Sequence, residues 1–148
     1  MNISDEGIEL IKKFEGLRLE VYDDVAGKPT IGYGHLIKDG EQFDTITEDQ
    51  ADNLLRQDTV ITSKCVSSFV RYPLSQNEFD AVCCLTFNIG CRALQSSTLL
   101  RLINLGEIDE AAEQFLRWNY AKVNGQLVQV QGLTNRRIAE RALFLGVV

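Results

Sequence analysis

The sequence predicts an α+β fold in which a small antiparallel β lobe and a larger all-α lobe are joined by a long helix. Residues 17–46 predict the β lobe, because partly alternating apolar and polar residues are separated there by glycine-containing turns. Residues 47–145 predict helices, because two capping-box patterns are followed by apolar residues at helical spacing. A chain of 148 residues is long enough for one domain with a buried core.

A short amphipathic helix is predicted at the start of the chain, over residues 3–14. Apolar residues recur at helical spacing from Ile3 to Phe14, and Ser4 is suited to cap the N-terminus of the helix. Gly16 follows directly, and glycine is common just beyond the last residue of a helix.

A sheet of about three antiparallel strands is expected next. Leu17–Tyr22 partly alternates apolar and polar residues, and Thr30–His35 combines strand-forming residues with glycines. Turns are predicted at Ala26–Pro29 and at Lys38–Gly40.

Helices are predicted for the rest of the chain. Thr47–Gln50 is a capping box that opens a long helix, and Ser75–Glu78 is a second capping box whose helix ends near Gly90. Three further helices are expected over Thr98–Leu105, Ile108–Asn119 and Asn135–Leu145.

These elements are expected to form a single domain over residues 1–148. The β-rich lobe covers about 15–46, the linking helix about 47–70 and the helical lobe about 71–148, and helix 3–14 is expected to pack on the helical lobe. A cleft between two lobes is a common place for a long polymeric substrate, so we expect the functional site there.

Three polar residues near the N-terminus suggest a reaction. Glu15, Asp24 and Thr30 lie around a glycine-rich turn. Cleavage of a glycosidic bond uses two carboxyl groups, one to protonate the leaving oxygen and one to activate water or to stabilise the cationic transition state. The end of the first helix disfavours a negative charge on Glu15 and so favours the protonated form that a general acid needs. Asp24 lies in a polar turn beside Asp23, where water and backbone donors favour the charged form.

Further motifs follow along nearly the whole chain. They are the run Thr30–His35, then Pro73–Ala81, Phe87–Gly90, Ser97–Arg101, Ala111–Phe115, and Gly132–Arg137 with Glu140–Arg141. With Glu15 and Asp24, these motifs resemble in content and order the phage-type lysozymes, glycoside hydrolase family twenty-four. The resemblance implies a lysozyme-like fold with an active-site cleft between the lobes.

The resemblance also implies a reaction, the hydrolysis of the β-1,4 bond between N-acetylmuramic acid and N-acetylglucosamine in bacterial peptidoglycan. It makes Glu15 the general acid, Asp24 the second carboxylate and Thr30 the hydroxyl that positions water, with inversion at the anomeric carbon. Asp24 has the family's spacing from both Glu15 and Thr30, whereas Asp23 does not. No metal or cofactor is implied.

Two more residues are expected to bind the substrate. Asn88, near the end of the central helix, resembles a family position that hydrogen-bonds sugar. Arg136 is expected to reach either Glu15 or a carboxylate of the substrate. Trp118 and Tyr120 are of a type that stacks on sugar rings, but such residues are more often part of the core, so we assign them no binding role.

His35 is the only histidine in the chain, and a structural role is predicted for it. Asp58 interrupts the apolar stripe of the long helix, and a partly buried aspartate needs a partner. We therefore expect His35 and Asp58 to pair and to tie the sheet to this helix.

The four cysteines lack the spacing of a zinc site. Cys83 and Cys84 lie in an apolar helical stretch and are expected to be buried free thiols. A Cys84–Cys91 or a Cys65–Cys83 bridge is the alternative in an oxidising compartment.

Charge is unevenly distributed along the chain. Residues 1–115 contain ten Lys or Arg and twenty Asp or Glu, whereas residues 116–148 contain five and one. A basic segment suits nucleic acid, but the aromatic residues that usually accompany such a site are few. A local carboxylate partner is the more economical interpretation, and we expect no nucleic-acid partner.

Neither a signal peptide nor a membrane-spanning stretch is evident in the sequence, so no stable membrane insertion is expected. With the resemblance, this predicts a monomeric endolysin that accumulates in the host cytoplasm. It would act on the periplasmic cell wall after release through a holin lesion. A prophage-borne or bacterial copy fits the sequence equally well.

Two other functions remain compatible with the general plan. A lytic transglycosylase needs the acid but no water-activating aspartate, and a non-catalytic wall-binding module is expected to lose one of the two carboxyl groups. The presence of Glu15, Asp24 and Thr30 together favours hydrolysis.

Overall fold

The structure is a computed structural model that describes residues 1–147. Its first helix, α1, spans Asp5–Glu15, and the side chain of Ser4 accepts a hydrogen bond from the backbone N–H of Gly7 as its N-cap. Gly16 follows the helix with a φ of 72°. The predicted helix and both of its end signals are confirmed. The last residue of the predicted helical lobe, at position 148, lies outside the described residues.

A three-stranded antiparallel sheet follows α1, as predicted. Its strands, in spatial order, are β1 (Arg18–Asp23), β2 (Pro29–Gly32) and β3 (His35–Leu36). Thr30 in β2 lies opposite Tyr22 in β1 and opposite Leu36 in β3. The middle strand therefore places Thr30 at the centre of the sheet, where its side chain is buried.

A 22-residue helix, α2 (Glu48–Phe69), connects two hydrophobic cores. Thr47 and Gln50 form the predicted capping box. Near its start, Leu55 packs with Ile31 of the sheet, whereas Val66 near its end belongs to the core of the helical lobe. None of the helices in residues 1–147 has the length and apolar content needed to cross a membrane.

The helical lobe is built around α3 (Gln76–Ile89), which opens with the predicted Ser75 capping box and ends at Gly90. The consecutive residues Phe79–Thr86 are all buried, because α3 is covered on every side. Helices α1, α2, α4 (Cys91–Gln95) and α7 (Gln131–Phe144) pack against it, and α5 (Thr98–Asn104) and α6 (Ile108–Gln114) contribute to the same core.

A β-hairpin departs from the predicted all-α lobe. Strands β4 (Tyr120–Val123) and β5 (Gln126–Gln129) pair across a turn in which Asn124 has a φ of 53° and Gly125 a φ of 81°. Asn-Gly is a strong signal for this kind of tight turn, because both residues tolerate positive φ. The Asn124-Gly125 pair is thus the local sequence signal for this hairpin.

Two predicted helices have different limits in the structure, and a short one was not predicted. The helix expected over Ile108–Asn119 ends as an α-helix at Gln114 and continues as a 3-10 turn over Phe115–Arg117. α7 begins at Gln131 and not at Asn135, because Gly132 is accommodated within its first turn. The short helix α4 directly follows Gly90.

A disulfide joins Cys65 in α2 to Cys91 in α4. Cys83 and Cys84 are free and buried, as expected, and burial raises the pKa of the Cys83 thiol to about 12. Both alternative pairings, Cys84–Cys91 and Cys65–Cys83, are therefore wrong. The correct partner of Cys65 depends on α4, which the sequence did not predict.

The predicted pair of His35 and Asp58 is confirmed, and it includes a third residue. The Nδ1 atom of His35 lies 2.8 Å from Oδ2 of Asp58, and Nε2 lies 3.0 Å from Oε1 of Glu41. Burial disfavours the charged imidazole, but the hydrogen bonds with both carboxylates outweigh burial and raise the pKa of His35. The backbone N–H of Lys38 and the imidazole lower the pKa of Glu41.

This cluster predicts a pH-dependent contribution to stability. The raised pKa of His35 gives stability that is complete below about pH 6.5 and is lost as the pH rises through the pKa in the folded state. The lowered pKa of Glu41 gives stability that is present above about pH 4.5 and is lost on acidification. Asp58→Asn should therefore cost about 1.5–3 kcal/mol near pH 5.5 and clearly less at pH 8.5, as measured by urea unfolding.

Asp49→Asn is the matched control, because Asp49 is exposed in the first turn of the same helix. Its effect on the free energy of unfolding should not change between pH 5.5 and 8.5. A cost of Asp58→Asn that is constant over this range would contradict the predicted charge on His35.

Candidate active site

A pocket of about 180 Å³ lies between the three-stranded sheet and α3. Four of the five predicted site residues line it, namely Glu15, Asp24, Thr30 and Asn88. The other lining residues are Tyr22, Gly34, Leu36 and Phe87. Residues that are far apart in the chain are therefore brought together at the junction of the two lobes.

Glu15 is the last residue of α1, so its carboxyl group lies at the negative end of the helix dipole, as predicted. Its Oε2 atom accepts a hydrogen bond of 2.7 Å from Nη1 of Arg136. The carboxylate of Glu15 is therefore held in place by an ion pair with a residue of α7.

Arg136 lies behind Glu15 and is buried. Of the two partners expected for it, the structure gives Glu15, and its other donors are bound as well. Nη2 donates to the carbonyl oxygen of Cys84 at 3.1 Å, and Nε donates to Glu140 at 3.2 Å. Burial alone would lower the pKa of the guanidinium, but the charges of Glu140 and Glu15 outweigh it and raise that pKa.

Asp24 is the first residue after β1 and closes the following turn with its own side chain. Its Oδ1 atom accepts from the backbone N–H groups of Ala26, at 2.9 Å, and Lys28, at 2.8 Å. Within residues 1–147, Oδ2 has no hydrogen-bond donor, so it is available to a ligand or to water. Asp23 is exposed on β1 and does not line the pocket.

The hydroxyl of Thr30 has a defined orientation. It donates a hydrogen bond of 2.9 Å to the carbonyl oxygen of Lys28, and the residue is 2% exposed. Because its proton is used in this bond, the remaining lone pairs can accept a hydrogen bond from a molecule in the pocket.

Gly34 was not predicted as a site residue, yet it determines where Glu15 can lie. A Cβ atom added at Gly34 would be 2.5 Å from Oε1 of Glu15, which is far inside van der Waals contact. Its φ of 75° also suits glycine. The glycines of the Thr30–His35 run were the signal, but the close approach depends on the fold.

Replacing Gly34 by alanine is expected to reduce lytic activity by at least about tenfold, because the new methyl group displaces Glu15, and even small misplacements of reacting groups are costly. Gly40→Ala is the matched control, since Gly40 has a φ of 88° and no atom within 4 Å of the added Cβ. Both variants should lose about 1–2 kcal/mol of stability from the left-handed backbone, measured by thermal unfolding. If Gly40→Ala loses as much activity as Gly34→Ala, displacement of Glu15 is not the cause.

Tyr22 is a second pocket residue that sequence reasoning missed. Burial and the charge of Glu15 raise the pKa of its phenol, while Arg18, whose guanidinium lies 4.5 Å from the ring centroid, opposes the rise. The hydroxyl is therefore protonated at neutral pH and can donate to a ligand. Trp118 packs against the helical core and Tyr120 lies exposed on β4, and neither lines the pocket.

A second pocket of about 290 Å³ adjoins the first. The two share Gly34, Leu36 and Phe87, so together they form one groove along the junction of the lobes. Its far wall includes Ile61 of α2 and the Cys65–Cys91 disulfide. The groove is therefore longer than the pocket around Glu15 alone.

The basic C-terminal segment has local carboxylate partners, as the charge distribution suggested. Arg136 pairs with Glu15 and Glu140, and Arg137 pairs with Glu140 at 2.6 Å. Arg141 pairs with Glu113. Three of the five basic residues of this segment are thus neutralised within the protein.

Comparison with known families identifies the chain. The model of the family described as phage lysozyme matches residues 12–140, which include all of the site residues described above. The chain belongs to the phage lysozyme family. The chain is accordingly a glycoside hydrolase of the lysozyme type, the class of enzymes that degrades bacterial peptidoglycan.

Individual relatives agree with this assignment. The chain is 44% identical to the endolysin of Acyrthosiphon pisum secondary endosymbiont phage 1 over 144 residues, which cover 97% of this chain and 98% of the relative. It is 43% identical to the endolysin of Bacillus phage B103 over 98% of its own length, but it spans only 54% of that relative. The endolysin from Escherichia coli O157:H7 phage FAHEc1 has the same fold, with a TM-score of 0.91 and 41% identity over 98% of this chain and 94% of that one.

Proposed function

We propose that the chain is an endolysin muramidase that hydrolyses the β-1,4 bonds between N-acetylmuramic acid and N-acetylglucosamine in peptidoglycan and so lyses the host cell. One observation carries this proposal, namely that a single pocket holds two carboxyl groups in unlike surroundings. Glu15 is half-buried at a helix end, whereas Asp24 is held by backbone donors in a turn. Such a difference separates an acid from a base.

Glu15 is proposed to act as the general acid. It gives its proton to the glycosidic oxygen while the bond from that oxygen to the anomeric carbon breaks. The close packing against Gly34 limits the positions that the carboxyl group can take. Arg136 then stabilises the carboxylate that remains after the proton has left.

Asp24 and Thr30 are proposed to handle the attacking water. The free Oδ2 atom of Asp24 takes a proton from the water as its oxygen bonds to the anomeric carbon, and the Thr30 hydroxyl accepts a hydrogen bond that orients the molecule. Attack from the face opposite to the leaving group inverts the anomeric configuration. The proton on Asp24 then passes to solvent, and Glu15 takes one up, which restores the resting enzyme.

Asn88 is proposed to bind the sugar next to the cleaved bond. Its Oδ1 atom accepts from Nη2 of Arg137, so its Nδ2 amide is left to donate to a hydroxyl or acetamido oxygen. The longer groove offers room for further sugars of the same strand.

We propose a monomer of one domain that accumulates in the host cytoplasm and reaches the periplasmic wall after holin-mediated release.

Analysis of the reaction products tests the bond and the chemistry together. Purified peptidoglycan digested in water enriched in oxygen-18 should yield fragments with reducing N-acetylmuramic acid ends that carry one heavy oxygen, as measured by mass spectrometry. Proton NMR during the first minutes should show the α anomer first, because inversion of a β bond gives α. Products with 1,6-anhydro ends would indicate a transglycosylase, and reducing N-acetylglucosamine ends would indicate cleavage of the other glycosidic bond.

A further inference from the structure

A cluster of buried charges lies beneath the pocket, in the middle of α7. The Oε1 atom of Glu140 accepts a hydrogen bond of 2.6 Å from Nη1 of Arg137, and Oε2 accepts one of 3.2 Å from Nε of Arg136. Glu140 is 0% exposed and the two arginines are 5% exposed or less. Burying three charges is costly, so a cluster of this kind calls for an explanation beyond stability.

Both arginines also donate hydrogen bonds to residues that line the pocket. Arg136 donates to Glu15, and Arg137 donates to Oδ1 of Asn88 and, at 2.7 Å, to the carbonyl oxygen of Trp118. Glu15 and Asn88 line the same pocket from different helices. One buried carboxylate therefore holds the two cations that contact two of the residues lining the site.

Glu140 offsets part of the positive charge that Arg136 and Arg137 place beside Glu15. Cys84 of α3 lies close enough to feel the charges of Glu140, Arg136 and Asp80, and on the pocket side Tyr22 feels the charges of Glu15, Arg18 and Asp24. Within residues 1–147, Glu15 is the only carboxylate besides Glu140 that accepts a hydrogen bond from either arginine. Without Glu140, two buried cations would act on Glu15 alone.

We propose that Glu140 is a positioning residue that partly neutralises Arg136 and Arg137, so that Glu15 can hold the proton it delivers while Asn88 stays fixed in the wall of the same pocket. The inference rests on the proposed role of Glu15 as the general acid. Its physical basis is that a carboxyl group gives up its proton more readily as the positive charge around it increases. Glu140 thus extends the pH range in which the acid is protonated.

Glu140→Gln in the full chain tests this. The variant keeps a side chain of the same shape but removes its negative charge. The alkaline limb of its pH–activity profile, measured as lysis of permeabilised Gram-negative cells at constant ionic strength, should move to lower pH by about one unit. At pH values on the alkaline limb, the activity of Glu140→Gln should then be lower than wild type by about tenfold for each pH unit of this shift. Near pH 5 its activity should stay within about threefold of wild type.

Arg137→Gln gives the opposite expectation and serves as the matched variant. It breaks the same buried cluster but removes a positive charge, so the alkaline limb should move to higher pH. Glu140→Asp keeps the charge and should leave the limb at its wild-type position. If Glu140→Gln does not fold, Arg137→Gln and Glu140→Asp still test the proposal. A merely structural role would not shift the alkaline limb of either variant according to the charge that the substitution removes or keeps.

The outcomes separate this inference from the proposed function. The role of Glu140 would be overturned if the alkaline limb of the pH–activity profile stayed in place in both Glu140→Gln and Arg137→Gln. It would also be overturned if the limb moved in the same direction in both variants. If these limbs behave as expected but Glu15→Gln remains active, a different group is the acid. An inactive Glu15→Gln with unmoved limbs in the cluster variants would refute only the inference about Glu140.

Discussion

Glu15→Gln is expected to lower lytic activity by about 10²- to 10⁴-fold, because glutamine fills the same space but has no proton to give to the leaving oxygen. The loss should be present at every pH and should be measured as the rate of turbidity decrease of outer-membrane-permeabilised Gram-negative cells. Arg136 keeps its bond to Glu140 in this variant. We therefore expect the free energy of unfolding to change by no more than about 1.5–3 kcal/mol, the range for a hydrogen bond to a charged group.

Glu9→Gln is the matched control for this variant. Glu9 lies on the same helix, its side chain is 68% exposed, and its one ion pair is a surface contact with Lys12 at 3.4 Å. The same chemical change there should leave activity and stability near wild type. If Glu15→Gln lyses cells as fast as wild type while remaining folded by circular dichroism, the acid is not Glu15.

Asp24→Asn is expected to reduce activity by a similar factor, about 10²- to 10⁴-fold, for a different reason. The amide oxygen of asparagine can still accept from the N–H groups of Ala26 and Lys28, so the turn should keep its shape. What is lost is the negative charge that takes a proton from water and stabilises the cationic transition state. Steady-state rates on purified peptidoglycan should show the loss in kcat and little change in KM.

Asp23→Asn provides the control, since this neighbour is exposed at the end of β1 and does not line the pocket. It should retain nearly full activity. A loss confined to Asp23→Asn would show that the two aspartates have been assigned in the wrong order. An Asp24→Asn variant that stays active and releases 1,6-anhydro products would favour the transglycosylase alternative.

Helix beginnings could be predicted from the sequence because their determinants are local. The side chains of Ser4, Thr47 and Ser75 each accept from a backbone N–H three residues ahead, and four residues of sequence are enough to recognise the pattern. The start of α7 had no such signal, since Val130 offers no side-chain cap. The hairpin was not predicted for a different reason: no helix was assigned between Asn119 and Asn135, but the lobe as a whole was expected to be all-α, although the Asn124-Gly125 turn is a local signal for two strands.

The site could be predicted in part. Residue types and the family resemblance selected Glu15, Asp24 and Thr30, which the structure brings into one pocket. Arg136 was expected to reach either Glu15 or a carboxylate of the substrate, but the choice between these partners depends on the fold, because Arg136 and Glu15 are 121 positions apart. Likewise, Gly34 matters through its distance to the carboxyl group, which no spacing along the chain reveals.

The Cys65–Cys91 bond gives the protein a chemical dependence on the compartment in which it is found. The bacterial cytosol keeps thiols reduced, whereas the periplasm forms disulfides. Closing a loop between residues 26 positions apart is worth about 3–4 kcal/mol by the chain-entropy estimate. An enzyme synthesised on the first side and working on the second would thus complete its maturation after crossing, and would become more resistant to unfolding and proteolysis at the place where its substrate is.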